Sequence, residues 1–161
     1  MASAPTYTPI ATYTVSSATA TYSFTSVPST FTDLVLIVNG TASSNADLYL
    51  AFNSDSGTNY SDTSIYGTGS AAGSGRDTSL TRMIIGAIYP NSVNVISIQN
   101  YSNTTTYKTA LGRGNGANNV VQFGVGLWRN TNAISTITLS LTGAYTFSTG
   151  CTFTLYGILA A

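Results

Sequence analysis

The chain has no histidine and no glutamate, and only 6% of its 161 residues carry a charge. Without histidine the usual general base and the commonest metal ligand are missing, and so is every Ser-His-Asp or Cys-His arrangement. The acids are five aspartates, Asp33, Asp47, Asp55, Asp62 and Asp77, and only the last three lie in a stretch where two carboxylates could face a cleft. Nothing nearby supplies an apolar pocket to raise one of their pKa values, as glycoside hydrolysis would need, so no enzyme activity and no cofactor are expected. The bases, Arg76, Arg82, Lys108, Arg113 and Arg129, form no cluster. Phosphate neutralisation needs one, so no nucleic-acid partner is expected. The single cysteine, Cys151, excludes an internal disulfide and reads as a small buried hydrophobe. No segment approaches the roughly 20 apolar residues that span a bilayer, so no membrane partner is expected. Met1-Ala2-Ser3-Ala4-Pro5 lacks the basic start and apolar run of a signal peptide, which implies synthesis in a cytoplasm.

Thr, Ser, Asn and Gly fill the polar positions, and five acids against five bases leave a net charge of zero. The expected surface is one of neutral hydroxyls and amides without the repulsion that keeps many proteins apart, which suits a chain that sits against other protein. The length is that of one domain, enough to bury about 70% of the surface of the unfolded chain.

Apolar alternation with a period of two marks the strands. Gly150 to Ala161 sets Cys151, Phe153 and Leu155 on one side and Thr152, Thr154 and Tyr156 on the other; such a terminal strand is expected to dock inside a sheet. Ile10–Val15 and Ala18–Phe24 read as short strands. Asp33–Asn39, apolar on both faces, reads as a central strand, and Ala46–Asn53 alternates with Leu48, Leu50 and Phe52 inward. Residues 54–78, rich in Gly, Ser and Asp, read as one long loop and the first place to look for a contact surface. Strands resume at Thr81–Ile88 and at Val93–Tyr101, where the apolar phase shifts between Val95 and Ile96 and suggests a bulge or burial on both faces. Thr104–Ala110 reads as a polar edge strand guarded by Lys108. Gly112, Gly114 and Gly116 have the local look of a phosphate cradle, but no helix follows, and a flexible connection is expected.

Asn119–Trp128 places Val121, Phe123, Val125 and Leu127 on one face and Gly124, Gly126 and Trp128 on the other. The glycines leave a groove where another backbone or an aromatic ring can approach. Trp128 with Arg129 beside it then has two readings, an interface hot spot together with Gly124 and Gly126, or an aromatic that merely covers the glycines. Asn53, Asp55, Asn59 and Asp62 could offer oxygens to calcium, but their spacing departs from an EF-hand loop and such clusters are mostly self-capped turns, so no metal is assigned. Ile137, Leu139 and Leu141 continue the strand pattern, and apolar residues nowhere recur at helical spacing over three turns. The expectation is an all-β chain: an antiparallel β-sandwich, jelly-roll-like, over residues 10–161, preceded by an extended arm over residues 1–9.

Ile10-Ala11, Tyr22-Ser23-Phe24 with Ser26-x-Pro28 and Asp33-Leu34, Phe52-Asn53-x-Asp55-x-Gly57-x-Asn59-Tyr60-Ser61, Ile98-x-Asn100-Tyr101 and the closing Leu155-Tyr156-Gly157-Ile158 together resemble small virion proteins of tailed bacteriophages. The resemblance implies a β-sandwich or jelly-roll module that assembles with itself, often as a homotrimer, on the virion. Two functions follow from it. One is a capsid decoration (cement) protein that clamps neighbouring subunits of the major capsid protein, with the arm laid along the shell. The other is a tail-fibre or tail-tip module that binds host-surface glycans through tyrosines and the Asp/Asn-rich stretch.

Overall fold

Thr, Val, Ile and Tyr at this density favour a pleated backbone. In the computed structural model, which describes residues 6–116 and 120–159, they form strands throughout. The strands are β1 (Tyr7–Thr14), β2 (Thr21–Phe24), β3 (Asp33–Gly40), β4 (Ala46–Phe52), β5 (Tyr60–Gly67), β6 (Ala72–Leu80), β7 (Met83–Ile88), β8 (Ser92–Ile98), β9 (Lys108–Gly116), β10 (Val120–Trp128), β11 (Ile137–Leu141) and β12 (Thr152–Ile158). They make an eight-stranded sheet, β1-β12-β3-β8-β9-β10-β5-β6, and a four-stranded sheet, β2-β11-β4-β7. Setting aside the pairs β5–β6 and β9–β10 leaves β1-β12-β3-β8 against β2-β11-β4-β7, the strand order of a jelly roll. The chain is thus an antiparallel β-sandwich, and the two extra pairs extend one of its sheets.

A single core joins both sheets. Leu34, Leu36 and Val38 of β3, Leu48, Leu50 and Phe52 of β4, Ile137 and Leu139 of β11 and Phe153 and Leu155 of β12 are all buried in it. The terminal strand docks as its alternation requires, between β1 and β3, with Cys151, Phe153 and Leu155 inward and Thr152, Thr154 and Tyr156 half-buried on the other face. Phe153 is ringed by Phe147, Tyr22 and Tyr13 at 4.8, 5.5 and 6.0 Å between ring centres. Ala160 and Ala161 lie outside the described residues.

Several expectations are corrected. The arm does not extend to residue 9: Tyr7, Thr8 and Pro9 belong to β1 and pair with Ile158, Gly157 and Tyr156, while residues 1–5 lie outside the described residues. The stretch 54–78 is not one loop. It holds β5 and most of β6, joined by a turn in which Thr68 N donates to the Ala71 carbonyl and Gly69 takes φ 83°. No apolar alternation marks β6 because both of its faces are open to solvent. The phase shift at Val95 and Ile96 is no bulge, since the ladders of β8 run unbroken; β8 sets Ile96 and Ile98 inward behind a buried Asn94, and leaves Val93 and Val95 on its other face.

Lys108 guards no edge. It opens β9, which lies between β8 and β10, and its side chain is 1% exposed, with the ammonium donating to the carbonyls of Thr106 (2.7 Å) and Thr131 (3.1 Å). Burial lowers its pKa. Gly112, Gly114 and Gly116 form no loop either; they are β9 residues whose missing side chains admit β7 and its neighbours. A methyl carbon built on Gly112 would lie 1.9 Å from the Ile85 carbonyl oxygen, and one on Gly116 would lie 2.6 Å from the Tyr89 ring. Gly86 and Gly114 likewise close on the side-chain oxygen of Asn94, which accepts no conventional hydrogen bond among the described residues and faces their Cα hydrogens instead.

Candidate interaction surface

The register of the eight-stranded sheet fixes which side chains share its outer face, the one turned away from the four-stranded sheet. One row reads Thr154, Ile37, Val95, Arg113, Phe123, Ile65, Ser74 from β12 to β6. The next reads Tyr156, Val35, Ser97, Leu111, Val125, Thr63, Arg76. On the other side of the first row Val121 stands opposite Asn115 and Gly67, and the Asn115 side chain accepts from the Val93 amide at 3.0 Å.

This face is apolar and open. Val121 is 62% exposed, Ile65 58%, Phe123 and Val125 each 42%, and Val93 and Leu111 are exposed beside them. Two hollows indent it. The larger, of ≈ 680 Å³, has Ile65, Val121, Phe123 and Arg113 in its lining; the smaller, of ≈ 310 Å³, shares Arg113 and Phe123 and adds Tyr7, Val35 and Leu111. Arg113 and Arg76 are the only charges in these rows, and neither forms an ion pair among the described residues. Contiguous apolar surface of this kind marks a place where a protein meets something else.

The residues singled out in the sequence lie on the opposite face. The groove over Gly124 and Gly126 is filled by the chain's own β7: a methyl carbon on Gly126 would lie 2.9 Å from Cγ of the Met83 side chain, and one on Gly124 would lie in ordinary contact, 3.6 Å from the Ile85 carbonyl. Trp128 is fully buried, stacked on Tyr60 at 6.2 Å and tilted against Phe52 at 5.5 Å. Trp128, Gly124 and Gly126 are therefore core, and the interface reading of them is withdrawn, because β7 already fills the groove. Arg129 is half-buried and holds the start of β5, donating to Ser61 Oγ (2.9 Å) and the Tyr60 carbonyl (3.1 Å).

The carboxylates and amides considered for calcium do not converge. Asn53 Oδ1 accepts from the amides of Ser135 and Thr136, and Asp62 Oδ2 accepts from the Ile84 amide at 2.8 Å. Asp55 accepts from Gly57 N, from the Asn59 amide and from Trp128 Nε1 at 2.7 Å. Partial burial pushes the Asp55 carboxyl up, but the bonds from Trp128, Asn59, Gly57 and Asn130 outweigh it and hold the pKa below its ordinary value. Tyr60, whose hydroxyl both donates to and accepts from the Phe52 backbone, is pushed by burial up to about 12. Among the described residues no three of His, Cys, Asp or Glu group as metal ligands would. These polar groups tie β4, β5 and β10 together at the base of the sheet extension.

The alternation of residues 119–128 separates Val121, Phe123 and Val125 from the glycines but does not give the direction of the core. The glycine face is filled by β7, with the Met83 side chain over Gly126 and the Ile85 backbone beside Gly124, which leaves the bulky residues to face out.

No family model and no curated protein sequence matches the chain. Among solved structures it is similar to Caenorhabditis elegans galectin LEC-6, at 9% identity over 92% of this chain and 96% of that one, with a TM-score of 0.40. It is also similar to domains LG4-5 of the mouse laminin alpha1 chain, at 11% identity over 92% of this chain and 41% of that one, with a TM-score of 0.34.

Proposed function

We propose that the chain is a structural subunit of a larger protein assembly, and that it packs the outer face of its eight-stranded sheet against neighbouring protein. The observation that carries this reading is the run of exposed Val93, Leu111, Val121, Phe123, Val125 and Ile65 over four adjacent strands. A specific contact needs on the order of 800 Å² from each partner. Repetition of sites on a shell lets a weaker contact suffice. The near absence of charge supports the same reading, because charged residues are depleted at the centres of interfaces. The sequence resemblance supplies the setting: a decoration protein on a phage head, whose partner is the major capsid protein. Fold alone does not argue for it, since jelly rolls serve many ends.

The test is antibody labelling of intact particles of the phage that encodes the chain, followed by particle binding of a Phe123→Asp/Val121→Asp variant. Label over the head and loss of binding by a variant that remains folded are expected. Label at the tail would transfer the same surface to the glycan-binding alternative, and absence of label from the particle would end the virion reading. A variant that binds as well as the parent would remove the outer face from the contact.

A further inference from the structure

The eight-stranded sheet ends on two edges of unlike character. At one, β1 carries Pro9, which has no N–H, and a register break between Pro9 and Ala11. Both devices blunt a sheet edge. At the other, β6 runs for nine residues, Ala72 to Leu80, without proline, and from Ala72 to Asp77 it pairs regularly with β5. The edges of the smaller sheet offer less: β2 has four residues, and β7 is almost wholly buried.

The turn sets the direction of the free hydrogen-bonding groups on β6. Thr68 N donates to the Ala71 carbonyl and Ala71 N to the Thr68 hydroxyl, so the two residues point at each other, and in an antiparallel ladder such inward-pointing pairs alternate. The backbone groups of Gly73, Gly75 and Asp77 therefore point to β5, and those of Ala72, Ser74 and Arg76 point outward. A nine-residue strand open on both faces, with three outward residues evenly spaced, is a template for another strand.

We infer that the occupant is β6 of a second copy, paired antiparallel about a two-fold axis at Ser74. In that register Ser74 meets its own counterpart, Ala72 meets Arg76 and Arg76 meets Ala72. All three outward residues are matched, with about six backbone hydrogen bonds. On the other face Gly73 meets Gly75, so neither paired residue brings a side chain, and the ring lying over Gly73 is Tyr66 of the chain's own β5. The two Arg76 side chains stand four residues apart along the strand, about 13 Å, beyond the screening length at physiological salt. Moving the axis by one residue, to Gly75, would set Ala72 against Thr78, which lies in the register break between Asp77 and Leu80, and so lose a matched pair. Pairing β6 with β1 of another copy would build an open fibre, and Pro9 removes a donor that such a fibre needs. The isologous contact closes at two copies and joins two apolar outer faces side by side. It stands on the strand edge alone and not on the virion reading.

The experiment is sedimentation equilibrium of the full chain at micromolar concentrations, with three variants. The parent is expected at twice the chain mass. Ser74→Pro, whose lost N–H faces away from β5, is expected at the mass of one chain with an unchanged circular dichroism spectrum. Ser74→Cys is expected to give a covalent dimer under mild oxidation, because paired Cα atoms about 5.5 Å apart lie within disulfide reach. Ser70→Cys, about 26 Å from its counterpart in this register, is expected to give none. A parent at the mass of one or three chains, an open-ended polymer, a dimer indifferent to Ser74→Pro, or equal cross-linking of both cysteine variants would each overturn the proposal.

Discussion

Gly112→Ala separates close sheet packing from simple strand preference, because the two effects have opposite signs. Gly112 has an ordinary extended backbone with no positive φ, so alanine there would by itself reduce the freedom of the unfolded chain and stabilise by about 0.4–1 kcal/mol. The new methyl carbon, however, falls 1.9 Å from the Ile85 carbonyl oxygen, where carbon-to-oxygen contacts normally sit at about 3.3 Å or more. Either β7 retreats by about 1.4 Å or β9 does, and a gap of even 0.5–1 Å forfeits a quarter to a half of the dispersion energy of the atoms facing it. Overpacking of this kind costs about 1–3 kcal/mol, occasionally more, which exceeds the entropic gain. The net loss is about 1.3 kcal/mol, and at about 2–4 °C per kcal/mol for a domain of this size, thermal unfolding followed by circular dichroism should show a Tm lower by roughly 3–5 °C. Gly67→Ala is the matched control, since its methyl carbon meets only Val121 Cγ2, at 3.8 Å, and it should leave Tm unchanged or raise it by up to about 4 °C. A Gly112→Ala protein as stable as the parent, or a Gly67→Ala protein equally destabilised, would refute the account of the glycines.

Phe153→Ala should cost about 3–5 kcal/mol in urea unfolding, because the ring is fully buried among three other aromatics; a loss below about 1 kcal/mol would show that β12 is not part of the core. Asp62→Asn tests the buried carboxylate. Burial pushes the Asp62 pKa above 3.8, the Ile84 amide pulls it part of the way back, and Asp77 and Asp47 add to the rise. The folded state therefore binds the proton more tightly than the unfolded chain, and the parent loses stability as pH rises from about 3.8 through the folded value. Asparagine keeps an acceptor for Ile84 and carries no charge, so the variant should be the more stable at pH 7, with the gap closing at pH 3; a constant gap across that range would refute the assignment.

How legible the fold was depended on what each strand packs against. The strands β3, β4, β11 and β12 lie in the sandwich proper, so Leu48, Leu50 and Phe52, or Cys151, Phe153 and Leu155, announce one buried face. The sheet extension follows a different rule. The inner face of β9 is closed by the backbone of β7, which demands glycine at 112, and both faces of β6 are wet, so neither strand carries an apolar alternation. Composition alone therefore reads β6, and β9 from Gly112 to Gly116, as loops. In β10 the two faces were visible but their sense was not. Trp128 therefore admits two readings from sequence, an interface residue or a cover over the glycines, and its indole N–H is spent on Asp55 inside the fold. The exposed surface that replaces it could be assigned only once the register placed Ile65, Phe123 and Val95 in a single row across four strands.

The place of β12 also bears on how the protein is made. It separates β1 from β3, and its Ile158 pairs with both Tyr7 and Asp33. A ribosome that has made every strand but this one holds a chain whose first strand has no neighbour in the sheet and whose third has lost one. Pairings across nearly the whole chain carry a high loop-closure cost and form slowly. The sandwich closes only after residue 158 has left the exit tunnel, so the unpaired flanks of β1 and β3 remain open to chaperones, or to wrong partners, until β12 emerges.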